Sequence, residues 1–338
     1  MREAMLYDKL SDARVRCHLC RHSCVISEGH TGICAVRRNE GGRLTTLVFD
    51  KVAALGADPI EKKPLFHFYP GSLALSVATM GCNFACLHCQ NAGLSATPAQ
   101  TGTIEGRRLS PAKIVAEAVT KGCRSISYTY SEPTIFAELA LETARLAHDR
   151  GIANNFVTNG YQSPELIDAM EGLIDAANID LKSFAPTFYR DVCGAKLDGV
   201  LDTITRLFRA GTWLEITTLI IPTHNDSDEE LRQIAGFIAG IDENIPWHVS
   251  RFHPTHLMRN VPATPPSTLF RAKQIGHAEG LQHVYTGNIP GRGGENTDCP
   301  GCQALLIERQ GFYVSKNRLV GGRCPDCNHS IAGVFEPS

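Results

Sequence analysis

Between residues 73 and 287 the chain alternates short apolar, β-rich runs with longer amphipathic stretches. The runs 73–79, 125–130, 154–158, 177–182, 214–221 and 248–252 predict strands, being short and bounded by turn residues. The stretches 111–121, 133–150, 164–176, 199–210, 227–241 and 266–279 predict helices. Ser110-Pro111, Ser163-Pro164 and Asp226-Ser227 supply start signals, a side chain able to cap the first turn or a proline already set for it. Regular alternation of strand and helix implies an α/β fold, with a parallel sheet and right-handed crossovers. A further run, 283–287, extends the open edge. In such folds functional residues gather where strands end. This core takes residues 73–294. A cysteine-rich segment, 1–72, precedes it, and a second cysteine-rich module, 295–338, follows.

At 338 residues the chain suits one large domain with small appendages. Lys and Arg number 33 against 35 Asp and Glu, a balance that argues against a dedicated nucleic-acid binder. No apolar stretch approaches the ~18 residues of a membrane span. The charged opening, 1–10, does not read as a signal peptide. Thirteen cysteines point to metal ligands in a reducing, cytoplasmic setting, because eleven of them fall in three tight groups. Cys123 and Cys193 stand alone and read as ordinary buried or half-buried thiols.

The central group, Cys82-x3-Cys86-x2-Cys89, follows the first strand. Three thiolates on one loop can hold a [4Fe–4S] cluster and leave one iron open to a substrate; the competing reading is a zinc loop. Cys299-Pro-Gly-Cys302 and Cys324-Pro-Asp-Cys327 stand 21 residues apart. Two such knuckles make a four-sulfur site for zinc or one rubredoxin-like iron, with a zinc-ribbon hairpin between 304–307 and 312–314. Two disulfides are the alternative. The less regular Cys17, Cys20, Cys24 and Cys34 read as structural zinc or an auxiliary cluster, with His18, His22 and His30 as spare ligands. Asp180 and Lys182 share one face of a strand, as a lone ion pair or as partners for a charged ligand.

The loop Cys82–Cys89, with His88 at the aromatic position of C-x3-C-x-aromatic-C, resembles the radical S-adenosylmethionine (SAM) enzymes. That resemblance implies a partial (β/α)6 TIM-like barrel. It also implies SAM held on the open iron through its amine and carboxylate, then split by an electron into methionine and a 5'-deoxyadenosyl radical. Three further segments resemble the pyruvate formate-lyase activating type. Glu132-Pro133 matches a G-G-E-P segment that receives the SAM amine, with Tyr130-Ser131 in place of the glycines. Thr158-Asn159-Gly160 matches D-T-N-G, with Val157 in place of the Asp of a monovalent-cation site. Asp180-Leu-Lys182 matches D-x-K. His253 matches a histidine near the nucleoside. By this resemblance Cys82, Cys86 and Cys89 hold the cluster, and His88, Glu132, Thr158, Asn159, Asp180, Lys182 and His253 surround SAM. Asp180 and Lys182 count with the cysteines as catalytic.

Nearly the whole chain is similar to AmmeMemoRadiSam-system radical SAM enzymes, through Cys17–Cys24 with 32–37, 58–71, and Tyr285–Gly291 with 294–296. This implies hydrogen abstraction from a substrate the motifs do not define. It further implies an electron donor such as flavodoxin or ferredoxin, and association with Memo-type and AMMECR-type proteins. Lys62, Lys63, His67 and Tyr69 either reach the barrel mouth or form a structural segment. The rival readings are a glycyl-radical-enzyme activase and a non-catalytic scaffold or nucleic-acid-binding zinc protein. Release of 5'-deoxyadenosine separates enzyme from scaffold.

Overall fold

The computed structural model describes residues 2–289 and 294–335; Pro290 and Gly291 of the 285–291 motif lie outside the described residues, as do Met1, Arg292, Gly293 and 336–338. Seven parallel strands run in chain order: Leu73–Ala78, Ser125–Tyr128, Ala153–Thr158, Ala176–Asp180, Trp213–Ile220, Trp247–Arg251 and Val284–Gly287. Each pairs with its neighbour in sequence; Tyr128, for example, lies between Val77 and Phe156. Ser125–Tyr128 is buried throughout. Burial on both faces is why these strands read as unbroken runs rather than alternating ones.

The expected caps are present. Ser110 accepts from the Lys113 N–H, Ser163 from Leu166 and Ser227 from Glu230, each satisfying a donor that the first helical turn leaves free. Two helices differ from the expected spans. Pro164–Met170 stops early, and Gly172 then takes a left-handed φ of 67°, which a helix cannot continue through. The stretch from Pro133 opens with a 3-10 turn, Pro133–Phe136, before the α-helix Ala137–His148.

An eighth strand, Ala54–Pro59, pairs antiparallel with Leu73–Ala78, so the sheet begins inside the cysteine-rich 1–72 segment. Ala-Leu-Gly-Ala-Asp-Pro has almost no β pattern of its own; a hydrogen-bonding neighbour makes it a strand. Two small antiparallel sheets lie further upstream. Val15, Ile26 and Leu44 of these sheets, with Leu19 and Val36 of the loops between strands, are buried in the same core as the helices.

The C-terminal hairpin joins Leu305–Gln310 to Tyr313–Asn317 over a small core of its own, Cys299, Leu306, Ile307, Cys324 and Ile331. Buried Arg309 ties it to the sheet, donating to the Phe66 carbonyl at 2.8 Å and lying 4.2 Å over the Phe66 ring. Among the described residues no helix is long and apolar enough to cross a membrane.

Candidate active site

Where the first four parallel strands end, their following loops converge on a cavity of about 440 Å³, within the size range of small-molecule sites. Cys82, Cys86, Cys89 and His88 line it, as do Glu132, Thr158, Asn159, Asp180 and Lys182. Thus the fold brings together nine of the ten expected cofactor and cluster residues. His253 is exposed and is not among the lining residues.

The Cys82 sulfur faces the Phe84 N–H at 3.3 Å, and burial pushes its thiol well up, with the nearby Glu132 and Cys86 adding to the effect. Cys86 moves the other way. Its largest influence is a hydrogen bond from the Cys193 thiol, which outweighs burial and is helped by the Lys182 charge. Cys193 reaches it because a turn of π-helix, Tyr189–Cys193, delivers that side chain; nothing in the spacing of a lone cysteine signals this.

Lys182 donates to Asp180 at 2.8 Å. Burial works against its charge, yet Asp180, Cys86 and Cys193 together hold the ammonium well above its ordinary value. A permanently positive group therefore stands beside Cys86 and Cys193. His88 is the reverse case: burial first, then Lys182 and His224, push its ring down to about 3. It is a neutral ring, as an aromatic residue would be.

Glu132 is a brace between strand ends. One oxygen accepts from the Thr134 N–H at 3.0 Å and from the hydroxyls of Thr134 and Thr158, each at 2.6 Å. The other accepts from the Asn159 N–H at 2.8 Å. Burial pushes its carboxyl up, and these donors offset part of that. Asn159 in turn donates to Asn83 at 2.8 Å and lies 3.8 Å from the Cys82 sulfur.

The Tyr130 side chain has a part that its match to the G-G-E-P segment does not imply. The residue stands where the activating enzymes have glycine and takes a left-handed φ of 64°, a conformation that costs a non-glycine residue of order 1 kcal/mol. Its hydroxyl donates to Asp58 at 2.6 Å, and Lys63 lies 4.4 Å over its ring. Its carbonyl accepts from Asn91 in the cluster loop at 2.8 Å. Lys62 also lines the cavity, whereas His67 is buried elsewhere, against Tyr285 and the Ala332 carbonyl. Phe312, at the tip of the C-terminal hairpin, lines the cavity as well.

The donor set fits a cluster and a polar ligand. Besides the three thiolates, the buried Ser131 hydroxyl and His88 Nδ1 have no partner, and buried polar groups ordinarily find one. At the other end of the chain, the sulfurs of Cys299, Cys302, Cys324 and Cys327 all lie within 4.8 Å of one another, the closeness one tetrahedral ion demands.

Residues 76–238 match the Radical SAM superfamily. An uncharacterized protein of Methanocaldococcus jannaschii is 44% identical over 98% of this chain and 99% of its own length. The benzylsuccinate synthase activating enzyme of Thauera aromatica is 27% identical over 41% of this chain and 46% of its own length. In fold, the chain resembles Streptococcus suis SuiB, whose crystal structure was determined with S-adenosylmethionine bound; the TM-score is 0.50 at 14% identity, covering 67% of this chain and 52% of that one. The chain belongs to the radical SAM superfamily. It is a radical SAM enzyme, similar in part to the enzymes that activate glycyl-radical proteins, and its superfamily works with a [4Fe–4S] cluster and SAM.

Proposed function

We propose that Cys82, Cys86 and Cys89 hold the [4Fe–4S] cluster and that Glu132, Thr158, Asn159, Asp180 and Lys182 shape the SAM site beside it. The convergence of these side chains on one cavity carries the reading. Cluster and SAM together supply one-electron cleavage of the sulfonium, giving a 5'-deoxyadenosyl radical that takes hydrogen from a substrate. The chain's own residues do the rest. Lys182 brings fixed positive charge for a carboxylate. The Glu132 brace fixes the ends of the second and third strands. Tyr130 and Ser131 line the cavity, and the buried Ser131 hydroxyl, which has no other partner, is an acceptor for an ammonium. His88 packs 6.0 Å from Phe188 as a neutral wall, and the surrounding apolar side chains keep water from a reactive species.

The core is a partial (β/α)6 barrel extended by a seventh strand, and the C-terminal four-cysteine module holds zinc as a zinc ribbon does. Resemblance of the motifs at both ends of the chain supports reading it as an AmmeMemoRadiSam-system enzyme, in the cytoplasm, reduced by a flavodoxin- or ferredoxin-type protein and working with Memo-type and AMMECR-type proteins. Its likeness to a benzylsuccinate synthase activating enzyme supports a second reading, activation of a glycyl-radical enzyme. The test of the main reading is anaerobic reconstitution with dithionite and SAM. Wild type is expected to release 5'-deoxyadenosine and the variant Cys82→Ala/Cys86→Ala/Cys89→Ala none; full release by that variant refutes the assignment. Deuterium transfer into 5'-deoxyadenosine from the small-molecule or the protein fraction of labelled cell extract then distinguishes a small-molecule donor from a protein glycine.

A further inference from the structure

We propose that Cys17, Cys20, Cys24 and Cys34 hold a second, polynuclear iron–sulfur cluster, one whose irons are all ligated by protein. The four side chains line one small cavity of about 20 Å³, with Arg37 and Asn83 also in its lining.

Spacing distinguishes a cluster from a single ion. One tetrahedral ion draws each sulfur to ~2.3 Å of itself. The sulfurs then touch, and no room for a water remains among them. The C-terminal group has that compactness: Cys299 and Cys327 sulfurs lie 3.5 Å apart, and Cys302 and Cys324 sulfurs 3.7 Å apart. Among the described residues it is the group of three or more ligand atoms lying mutually within 4.8 Å. The N-terminal four stand wider and line a void. Cys82, Cys86 and Cys89 stand wider too. Sulfurs bound to different irons of one cluster are farther apart than sulfurs on one ion, so the N-terminal group follows the cluster pattern. This displaces the structural-zinc reading of these four residues.

Two of the lining residues also carry unpaired donors, although the Arg37 guanidinium itself pairs with Glu138 at 2.7 Å. Asn83 is 1% exposed and Arg37 2% exposed, yet Asn83 Nδ2 and Arg37 Nε have no hydrogen-bond partner. Leaving a buried donor unpaired costs about 1–3 kcal/mol. Thiolates and bridging sulfides are acceptors of the required sign. Backbone N–H groups already face three of the sulfurs: His22 toward Cys20, Ile33 toward Cys24 and Val36 toward Cys34. Phe84 does the same for Cys82.

The site abuts the catalytic loop. Asn83 follows Cys82, its carbonyl meets the His22 ring at 2.8 Å, and its side-chain oxygen accepts from Asn159 at 2.8 Å. A cluster with no open iron has no place for SAM; what it offers is storage of an electron beside the loop that needs one.

The experiment uses the full chain carrying Cys82→Ala, Cys86→Ala and Cys89→Ala, reconstituted anaerobically with iron and sulfide. Acid-labile sulfide is the decisive readout, because a mononuclear C-terminal site contains none. The variant is expected to keep sulfide and to show the electron paramagnetic resonance of a reduced cluster after dithionite. Adding Cys20→Ala and Cys24→Ala should abolish both signals. Zinc without sulfide in the first variant overturns the proposal. Should that variant fail to fold, wild type decides: more than about four sulfides per chain exceeds what one four-iron cluster contains, and four or fewer overturns the proposal.

Discussion

Asp180 and Lys182 were legible because strand geometry alone puts them on one face, and the structure joins them at 2.8 Å beside Cys86. The cysteines were legible for a similar reason, since their spacing is local. Cys193 and Tyr130 were not. One depends on a π-helical turn, the other on a backbone angle that tyrosine seldom adopts and that Asp58, Lys63 and Asn91 hold in place. His253 is the converse case, a matched position whose side chain is exposed and outside the cavity lining. At this scale Asp180→Asn and Lys182→Ala are expected to leave the cluster spectrum intact and to weaken SAM binding. Loss of a charge-assisted hydrogen bond is worth ~1.5–3 kcal/mol, or roughly 10- to 150-fold in affinity. Equilibrium binding of SAM to the reconstituted variants checks this; unchanged affinity in both would remove the fourth strand end from the site.

Among the elements, the strands and their capped helices were readable because burial and hydrogen-bonding chemistry repeat along the chain. Ala54–Pro59 was not readable, since its strand character comes from Leu73–Ala78 rather than from its own side chains. The third strand's end shows how little slack these junctions have. Gly160 takes φ 71°, and a Cβ there would meet Ile179 Cγ2 at 2.7 Å and Val200 Cγ1 at 3.2 Å. Gly160→Ala therefore combines backbone strain with a clash. It is expected to destabilise by about 2 kcal/mol or more and, by shifting neighbouring Asn159, to weaken SAM binding. Gly122→Ala, also at positive φ but with nothing within 4 Å, should lose about 1 kcal/mol and keep SAM binding. Chemical denaturation of both, with SAM titration, separates the two effects.

A buried histidine couples the whole molecule to pH. Burial, with His277, His329 and Lys273 nearby, pushes His283 down to about 4. Unfolded, the ring would titrate near ~6.5. Between those values the unfolded chain binds the extra proton, so stability falls as pH drops through ~6.5 towards 4. Over one such pH unit this group removes at most about 1.4 kcal/mol. His283→Phe should flatten that slope in denaturation series at pH 7.5, 6.5 and 5.5; an unchanged slope would show that the ring is not kept neutral.

The C-terminal module is the part of the molecule most dependent on its ligands, since its core is a handful of side chains and such small units need a metal. Cys302→Ser is expected to lose one equivalent of zinc and to open residues 295–335 to proteolysis, while dithionite-driven SAM cleavage persists. Metal analysis and limited digestion read the first two results. A variant that keeps its metal and its resistance to protease would detach these cysteines from the module's stability.

The seam between that module and the sheet bears on the timing of assembly. The Tyr69 N–H donates to the Val334 carbonyl and the Val334 N–H to the His67 carbonyl, each at 2.7 Å, across some 265 positions of sequence. During synthesis at ~5–20 residues per second, residues 67–69 wait at least ~13 seconds for their partners. Through that interval the cluster loop, only about a dozen residues beyond them, has already been made. A nascent chain thus has the Cys82–Cys89 loop open to its surroundings well before this side of the sheet can close.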